Sequence, residues 1–198
     1  MAGKKIDIDD IPSVELIEKE LARGKYRHRY RRTLVSTIYG LVTVAAVAVL
    51  IAFLWLPVLT INGSSMSPLL NEGDVAVTRK NAEFDTGSVV AFYYNNNILI
   101  KRVIAGPGDI VNIDENGNVY VNDAAIDEPY VSDRALGHCN IELPFEVPDE
   151  KYFVMGDHRT VSIDSRNTAV GCIGEEQIVG KVIFRIWPFP AWGRIESA

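Results

Sequence analysis

Ser65 and Lys101 are the two residues of this 198-residue chain whose types and places best suit chemistry. Ser65 follows a long uncharged apolar run, and Lys101 comes 36 residues later in a short apolar segment. A serine hydroxyl is a weak nucleophile until a neighbouring base removes its proton, and a lysine in apolar surroundings can be that base. The pair therefore indicates acyl-transfer chemistry beside a membrane, provided that the fold brings the two side chains together.

A predicted strand gives Lys101 its apolar surroundings. Within Ile98–Ile104, alternation places Leu99, Lys101 and Val103 on one face. An ordinary lysine, with a pKa near 10.4, is less than about 0.1% neutral at pH 7, and a pKa lower by roughly three would make it a usable base. Burial alone can supply that change. The alternative is a solvated edge-strand lysine. Arg102, on the opposite face, is expected to pair with a carboxylate.

A long apolar run predicts a transmembrane helix. No charged residue occurs in residues 33–71, and residues 34–59 are almost wholly apolar. About 20 such residues span a bilayer, whereas a cleaved signal has an apolar core of about 7 to 15. We therefore predict a permanent anchor at residues 33–59, after an N-terminal segment of residues 1–32 and before a domain of residues 60–198.

Net charge differs on the two sides of the predicted anchor. Residues 1–32 carry nine Lys or Arg against six Asp or Glu, a charge of +3, and residues 60–198 carry 11 against 20, a charge of −9. Basic residues cluster at positions 25–32, and such residues beside an anchor stay in the cytoplasm. We expect the N-terminus, with helical spacing in residues 13–25, to be cytoplasmic and the acidic domain extracytoplasmic. A nucleic-acid patch, the alternative for this cluster, is disfavoured by its position.

The segment after the anchor predicts a mainly β domain. Short apolar runs alternate with turn sequences rich in Gly, Asn, Asp and Pro. The acidic loop Asp114–Asn118 lacks the ligand spacing of a calcium loop and is expected to be a hairpin turn. The seven predicted strands cover residues 75–78, 89–94, 98–104, 110–113, 119–121, 152–155 and 178–186.

Two cysteines, Cys139 and Cys172, lie in this domain. In an oxidising compartment they can form a disulfide, and otherwise they are free thiols; the sequence leaves both outcomes open. Without paired histidines they make a poor zinc site, and no metal or cofactor is expected.

Four segments occur in order behind the predicted anchor: Gly63–Pro68, Gly87–Phe92, Ile100–Asp109 and Val147–Arg166. In this order they resemble the sequence of type I signal peptidases, the membrane-anchored serine proteases that remove signal peptides from exported proteins. Each segment alone is a weak signal, but all four in order behind a single anchor are a specific one, and the resemblance covers residues 62–188. It implies a single N-terminal transmembrane helix followed by a β-rich catalytic domain of the signal-peptidase type.

The resemblance implies a role for each matching residue. Ser65 corresponds to the family's nucleophile, Lys101 to its general base, and Ser162 to a serine that hydrogen-bonds the lysine amine. Asp164 and Arg166 correspond to a supporting ion pair near the site.

The oxyanion site departs from the pattern of this family. The backbone N–H of Ser65 corresponds to one donor to the negative charge that develops on the attacked carbonyl oxygen. In some members a serine two positions before the nucleophile is the second donor, but this chain has Gly63 there. Ser64 or a backbone N–H is then left as the second donor. A nearby loop also departs, since residues 158–162 read His-Arg-Thr-Val-Ser in place of Asn-Arg-Asp-Asn-Ser.

The implied activity is cleavage of N-terminal signal peptides after small-x-small motifs, with the substrate docked as an added β-strand. The expected partners are preprotein signal peptides and membrane lipid. No nucleic acid is expected, and no oligomer is required. The implied location is the bacterial plasma membrane.

Several alternatives compete with this prediction. Self-cleaving repressors share a Ser-Met motif and a Lys-Arg strand but are soluble, so the anchor disfavours them. A catalytically dispensable assembly factor for surface structures is disfavoured by the presence of both Ser65 and Lys101, while a dedicated pilin-type processing peptidase stays open. A triad of a serine, His158 and Asp157 is disfavoured because adjacent residues on a strand end point in different directions.

Overall fold

A computed structural model describes residues 14–196, and the chain divides into two compact units, residues 1–52 and residues 53–198. Residues 1–13, the first part of the predicted cytoplasmic segment, lie outside the described residues, as do the last two. The described part of the first unit is helical, and the second unit carries the β-strands.

One long α-helix, α1, spans Val14–Trp55 and joins two segments that the sequence predicted separately. Its described side chains are exposed, and an 18-residue stretch with a mean hydropathy of 2.1 makes it long and apolar enough to cross a membrane. The predicted end of the helix at residue 59 was wrong. Pro57 disfavours helical geometry in the residue before it, and Val58–Thr60 instead pairs as a strand with residues 75–77.

Twelve β-strands follow in the described residues, each antiparallel to its partners. Two short 3-10 helices, Glu175–Gln177 and Phe189–Ala191, lie among the last of them. The strands are β1 (Val58–Thr60), β2 (Val75–Arg79), β3 (Val89–Tyr94), β4 (Asn97–Ala105), β5 (Ile110–Ile113), β6 (Val119–Val121), β7 (Ala124–Ala125), β8 (Phe145–Glu146), β9 (Lys151–Met155), β10 (Ile173–Gly174), β11 (Ile178–Trp187) and β12 (Gly193–Arg194).

The strands form two sheets. Eight of them make one sheet in the order β1-β2-β11-β3-β4-β9-β10, with β12 also paired to β11, and four make a smaller sheet in the order β7-β6-β5-β8. All seven predicted strands are confirmed within one residue at either end. The loop Asp114–Asn118 joins β5 to β6 as the predicted hairpin turn. The five unpredicted strands have only two or three residues each, which is too short to show an alternating pattern.

The central strands β3 and β4 are buried on both faces over most of their length, and this burial surrounds Lys101. Val90 lies directly opposite Lys101 in the register of the two strands. Val90, Leu99 and Val103 belong to one apolar cluster, whereas Ile100 packs against another. Lys101 therefore lies on an apolar face, as the alternation predicted.

The first half of β4 has a neighbouring strand on one side only. β3 pairs with β4 along residues 97–102, but β9 begins to pair with β4 only at Arg102. The other edge of residues 97–101 has no partner strand among the described residues. The backbone N–H and C=O groups on that edge can pair with an added strand.

Candidate active site

Ser65 lies in a turn-rich segment between β1 and β2. Gly63 has a positive φ of 86°, a conformation that favours glycine. Met66 is 2% exposed and belongs to an apolar core cluster, and the Leu70 N–H donates to the Met66 carbonyl at 2.8 Å. The buried methionine anchors the segment, so that Ser65 is held at the domain surface and stays partly exposed.

Lys101 is buried without a carboxylate partner. It is 3% exposed, and its amine Nζ donates a hydrogen bond to Ser65 Oγ at 2.7 Å. In the described part of the chain, no carboxylate lies within ion-pair distance of Nζ. Burial lowers the pKa of Lys101 to about 8; the charge of Asp164 opposes this change, Arg166 adds to it, and Asp157 opposes it.

The contact between Lys101 and Ser65 suits proton transfer. The distance of 2.7 Å lies within the range of about 2.6 to 3.2 Å that a general base requires. With a pKa of about 8, roughly a tenth of the amines are neutral at pH 7. Burial thus lowers the pKa of Lys101 as predicted, and the alternative of a solvated edge-strand lysine is wrong.

Ser162 does not make the hydrogen bond that the resemblance implied. Lys101 Nζ donates to Ser65 Oγ instead, and the buried Ser162 Oγ has no hydrogen-bond partner among the described residues. Ser162 Oγ lies against Gly156, where a Cβ atom would overlap both Ser162 Oγ and the Ser65 carbonyl oxygen. Only glycine fits at position 156, because the loop that carries Ser162 and the nucleophile segment both pack closely against it.

The expected ion pair of Asp164 and Arg166 forms and is fully buried. Arg166 Nε donates to Asp164 Oδ1 at 2.8 Å, and Nη2 donates to Oδ2 at 2.9 Å. Burial raises the pKa of Asp164, but the hydrogen bonds and charge of Arg166 outweigh burial and hold that pKa below its usual range. The nearby Ser162 hydroxyl lowers the pKa of Asp164 further, although its geometry falls short of a hydrogen bond. The Gly156 N–H also donates to Asp164 at 2.9 Å.

Two further buried ion pairs lie near the site. Arg102 makes a bidentate pair with Asp157, at 2.9 Å from Nε to Oδ1 and 2.8 Å from Nη2 to Oδ2, which is the carboxylate partner that the strand pattern predicted. Arg159 pairs with Glu128, which also accepts from the Tyr130 hydroxyl at 3.0 Å. The sequence assigned Glu128 no role. Because Arg159 and Glu128 are 31 residues apart, no local spacing could signal their pairing.

The contacts of Asp157 and His158 are not those of a catalytic triad. Both Asp157 carboxylate oxygens accept hydrogen bonds from Arg102. His158 instead donates its backbone N–H to the Ser65 carbonyl at 3.0 Å, and its ring Nδ1 lies 3.3 Å from the Ser64 carbonyl oxygen. His158 therefore contacts the backbone of the nucleophile segment, and among the described side chains the hydrogen bond to the nucleophilic oxygen comes from Lys101.

A groove of about 470 Å³ opens beside Ser65 and Lys101. Residues 59–62, which include the end of β1, line it together with Ser65, Met66 and residues 96–101. Residues 97–101 belong to the part of β4 whose outer edge has no partner strand among the described residues. A groove beside a free strand edge suits the docking of an extended peptide.

The two cysteines are free thiols in the structure, which answers the question that the sequence left open. Burial raises the pKa of the Cys172 thiol to about 11, so this thiol is a poor nucleophile. In the described residues, no group of three or more His, Cys, Asp or Glu side chains is arranged to hold a metal ion.

A serine hydroxyl hydrogen-bonded to a buried amine, beside a groove and a free strand edge, is an arrangement typical of serine hydrolases, whose nucleophile needs a neighbouring base. Here that site lies in a β-rich unit that follows a helix long and apolar enough to cross a membrane. These features place the protein in the class of serine hydrolases, with a preceding helix that is long and apolar enough to cross a membrane.

Comparison with known proteins gives the family. The family described as "Signal peptidase, peptidase S26" matches residues 32–187, so the chain belongs to this family and is a serine endopeptidase. Signal peptidase IB of Staphylococcus aureus is 43% identical over 150 residues, which cover 66% of this chain and 77% of that protein. Signal peptidase I S of Bacillus subtilis is 34% identical over 172 residues, 80% of this chain and 92% of that protein. A crystal structure of a signal peptidase I from Enterococcus faecalis is 25% identical, with a TM-score of 0.42, and covers 50% of this chain and 97% of its own.

Proposed function

We propose that this endopeptidase removes N-terminal signal peptides from exported preproteins, with Ser65 as the nucleophile and Lys101 as the general base. The observation that carries the proposal is the 2.7 Å hydrogen bond between Lys101 Nζ and Ser65 Oγ, made by an amine whose pKa burial lowers to about 8. The signal peptidases of 34% and 43% identity support the substrate class.

Catalysis begins with the neutral amine of Lys101. The amine takes the proton of Ser65 as Oγ attacks the scissile carbonyl carbon, and a tetrahedral intermediate forms. The Lys101 ammonium then gives its proton to the leaving amine, which departs as the new N-terminus of the mature protein and leaves an acyl-enzyme on Ser65. Neutral Lys101 next takes a proton from water, whose attack releases the signal peptide and restores the serine.

The Ser65 N–H is the first donor to the oxyanion. No acceptor takes this N–H among the described residues, which leaves it available to the substrate. The second donor is either the exposed Ser64 hydroxyl or a backbone N–H, because Gly63 has no side chain. Ser64→Ala separates the two: loss of a side-chain donor lowers kcat by about 10²-fold or more, whereas a backbone donor leaves kcat unchanged.

The substrate docks as an added strand along the free edge of β4. Alternate side chains of such a strand point into the enzyme, so the residues one and three before the cut enter the groove beside Ser65. Leu99, Ile100 and Met66 line this groove, and an apolar lining suits short apolar side chains. Cleavage after small-x-small motifs follows from this docking.

The enzyme works in the bacterial plasma membrane as a single-pass protein. α1 is long and apolar enough to cross the bilayer, and the charge of +3 in residues 1–32 favours a cytoplasmic N-terminus. Residues 60–198 then act outside the cytoplasm, where signal peptides emerge, with membrane lipid as the second partner. The mechanism uses no cofactor, nucleic acid or oligomer.

The contact between Ser65 and Lys101 also favours an enzyme over a catalytically dispensable assembly factor, which has no need of a buried lysine amine against a serine. A dedicated pilin-type peptidase would share this chemistry and differ in its substrates. Mass-spectrometric mapping of the N-termini that stay uncleaved after depletion separates it from a general export peptidase.

The direct test uses the full-length protein in lipid vesicles and a preprotein with Ala-x-Ala before the cut. The wild type should release a mature protein whose N-terminus follows the second alanine, and Ser65→Ala and Lys101→Met should release none. Lys151→Met, which replaces an exposed lysine on β9, is the matched control and should cleave normally. Cleavage by Ser65→Ala or Lys101→Met contradicts the roles of these residues, and no cleavage by the wild type contradicts the function.

A further inference from the structure

The peptide unit that joins Ser64 to Ser65 has two ends with different tasks. Its N–H, on Ser65, is the proposed oxyanion donor, and its C=O, on Ser64, is approached by the loop after β9. The ring Nδ1 of His158 lies 3.3 Å from this carbonyl oxygen. Because a carbonyl oxygen only accepts hydrogen bonds, Nδ1 carries the proton in this contact.

We infer that His158 is a positioning residue, which orients the Ser64–Ser65 peptide unit so that its N–H points at the oxyanion. This inference rests on the proposed function. The N–H and C=O of one peptide unit lie in one plane, so a donor that holds the carbonyl end also sets the direction of the N–H. A hydrogen bond to the carbonyl further polarises the amide and strengthens its N–H as a donor, by about 10 to 30% per bond.

The main chain of His158 also hydrogen-bonds the nucleophile segment. Its backbone N–H donates to the Ser65 carbonyl at 3.0 Å, so His158 contacts two consecutive carbonyls, one through its main chain and one through its ring. The main-chain bond does not depend on the side chain. A substitution at position 158 can therefore remove the ring contact while the loop stays attached to the nucleophile segment.

The segment before the nucleophile has few other constraints. Asn62, Gly63 and Ser64 are exposed, and a Cβ built on Gly63 would have no atom within 4 Å. Apart from His158, the Ser64 carbonyl accepts only from the Ser67 N–H, at 3.1 Å, among the described residues. Among the described side chains, the ring of His158 thus makes the one hydrogen bond to this carbonyl, and it joins the peptide unit to the loop after β9.

His158→Asn and His158→Leu form a matched pair of variants. Asparagine places its Nδ2 donor two bonds from Cβ, as the ring Nδ1 is, whereas leucine is branched at the same atom and has no donor. With the full-length enzyme in vesicles and a preprotein substrate, we expect kcat of His158→Leu to fall about tenfold with KM unchanged. This is less than the roughly 10² to 10³-fold loss expected when an oxyanion donor itself is removed. His158→Asn should stay near the wild-type kcat.

A peptide aldehyde tests the same step without turnover. Ser65 Oγ adds to the aldehyde carbon, the serine proton passes to Lys101, and the aldehyde oxygen becomes an oxyanion in the position of the tetrahedral intermediate. The affinity for the aldehyde should fall in His158→Leu by the same factor as kcat and be retained in His158→Asn. The thermal midpoint of unfolding of each variant establishes that the domain is folded.

An unchanged kcat in His158→Leu overturns the inference, and so does an equal loss in His158→Asn or a change confined to KM. If His158→Leu does not fold, His158→Asp replaces it, because aspartate sets an acceptor against the carbonyl. Equal kcat values for His158→Asp and His158→Asn then overturn the inference. Failure of the proposed function is distinct, since it appears as a wild type that does not cleave the preprotein, while the aldehyde affinities still test His158.

Discussion

Lys101 and Arg102 are consecutive on β4 and almost equally buried, at 3% and 1% exposure, yet their surroundings are opposite in kind. Arg102 holds both oxygens of the Asp157 carboxylate and lies over the Tyr130 ring, 3.9 Å from its centroid, whereas Lys101 contacts a serine hydroxyl. A buried cation with a carboxylate partner stays charged, while one without a partner is driven toward its neutral form. One strand thus presents a structural cation on one face and a titratable amine on the other.

The carboxylates near Lys101 are already matched by arginines. Asp157 pairs with Arg102, and Asp164 pairs with Arg166. Each carboxylate raises the pKa of Lys101, but the charge of Arg166 works against them, and burial remains the largest cause. The pKa of Lys101 stays lowered within a charged neighbourhood because burial outweighs the net effect of these charges.

The largest expected effect separates catalysis from stability at Lys101. Lys101→Met should lower preprotein cleavage by at least about 10³-fold, because the base is lost. The same change should raise the free energy of unfolding by about 1 to 3 kcal/mol at pH 7, since it removes a buried charge that lacks a partner. Cleavage assays and urea unfolding measure the two effects. A loss of stability that accompanies the loss of activity would contradict the assignment.

Asp157→Asn should have the opposite effect on stability. It leaves Arg102 buried without its carboxylate, and we expect the free energy of unfolding to fall by about 3 to 5 kcal/mol. The double variant that adds Arg102→Met removes the unpaired buried charge and should recover part of the lost free energy of unfolding. Urea unfolding of the single and double variants tests this prediction. Equal free energies of unfolding would contradict it, because the unpaired charge of Arg102 would then not destabilise the fold.

The pH dependence of the wild type should follow the neutral form of Lys101. Because only the neutral amine takes the serine proton, kcat/KM should rise with pH and level off above a midpoint of about 8. In the unfolded chain the ordinary pKa is 10.5, so between pH 8 and 10.5 the unfolded state binds more protons and the contribution of Lys101 to stability rises with pH. A kcat/KM that stays constant from about pH 6 to pH 9 would exclude Lys101 as the base.

The smallest expected effect is a pair of opposite shifts in the pH midpoint of kcat/KM. Asp164 raises the pKa of Lys101 and Arg166 lowers it. Asp164→Asn should therefore move the midpoint of kcat/KM to lower pH, and Arg166→Met should move it to higher pH. A loss of folded enzyme that is the same at every pH lowers kcat/KM without moving its midpoint, so circular dichroism of each variant over the same pH range is the control. Shifts in the same direction would show that these charges act on Lys101 only through the fold.

Much of the fold could be predicted from local patterns. The seven longer strands show alternation or apolar runs between turn residues, and each formed within one residue of its predicted bounds. The helix end was wrong because residues 56–59 are as apolar as the anchor before them, and only pairing with β2 distinguishes a strand there. The short strands β7, β8, β10 and β12 depend on their partners in the same way.

The sequence by itself determined which residues could do the chemistry, Ser65 and Lys101, and that Lys101 and Arg102 lie on opposite faces of one strand. It also determined a helix that can span a membrane. These follow from residue types and from periods of two and 3.6 that act over a few neighbouring positions. Only the tertiary structure decided that Lys101 reaches Ser65 rather than Ser162, that Glu128 holds Arg159, and that His158 meets the Ser64 carbonyl. Those contacts join segments far apart in the chain, and their distances are set by strand pairing and packing, which no local period records.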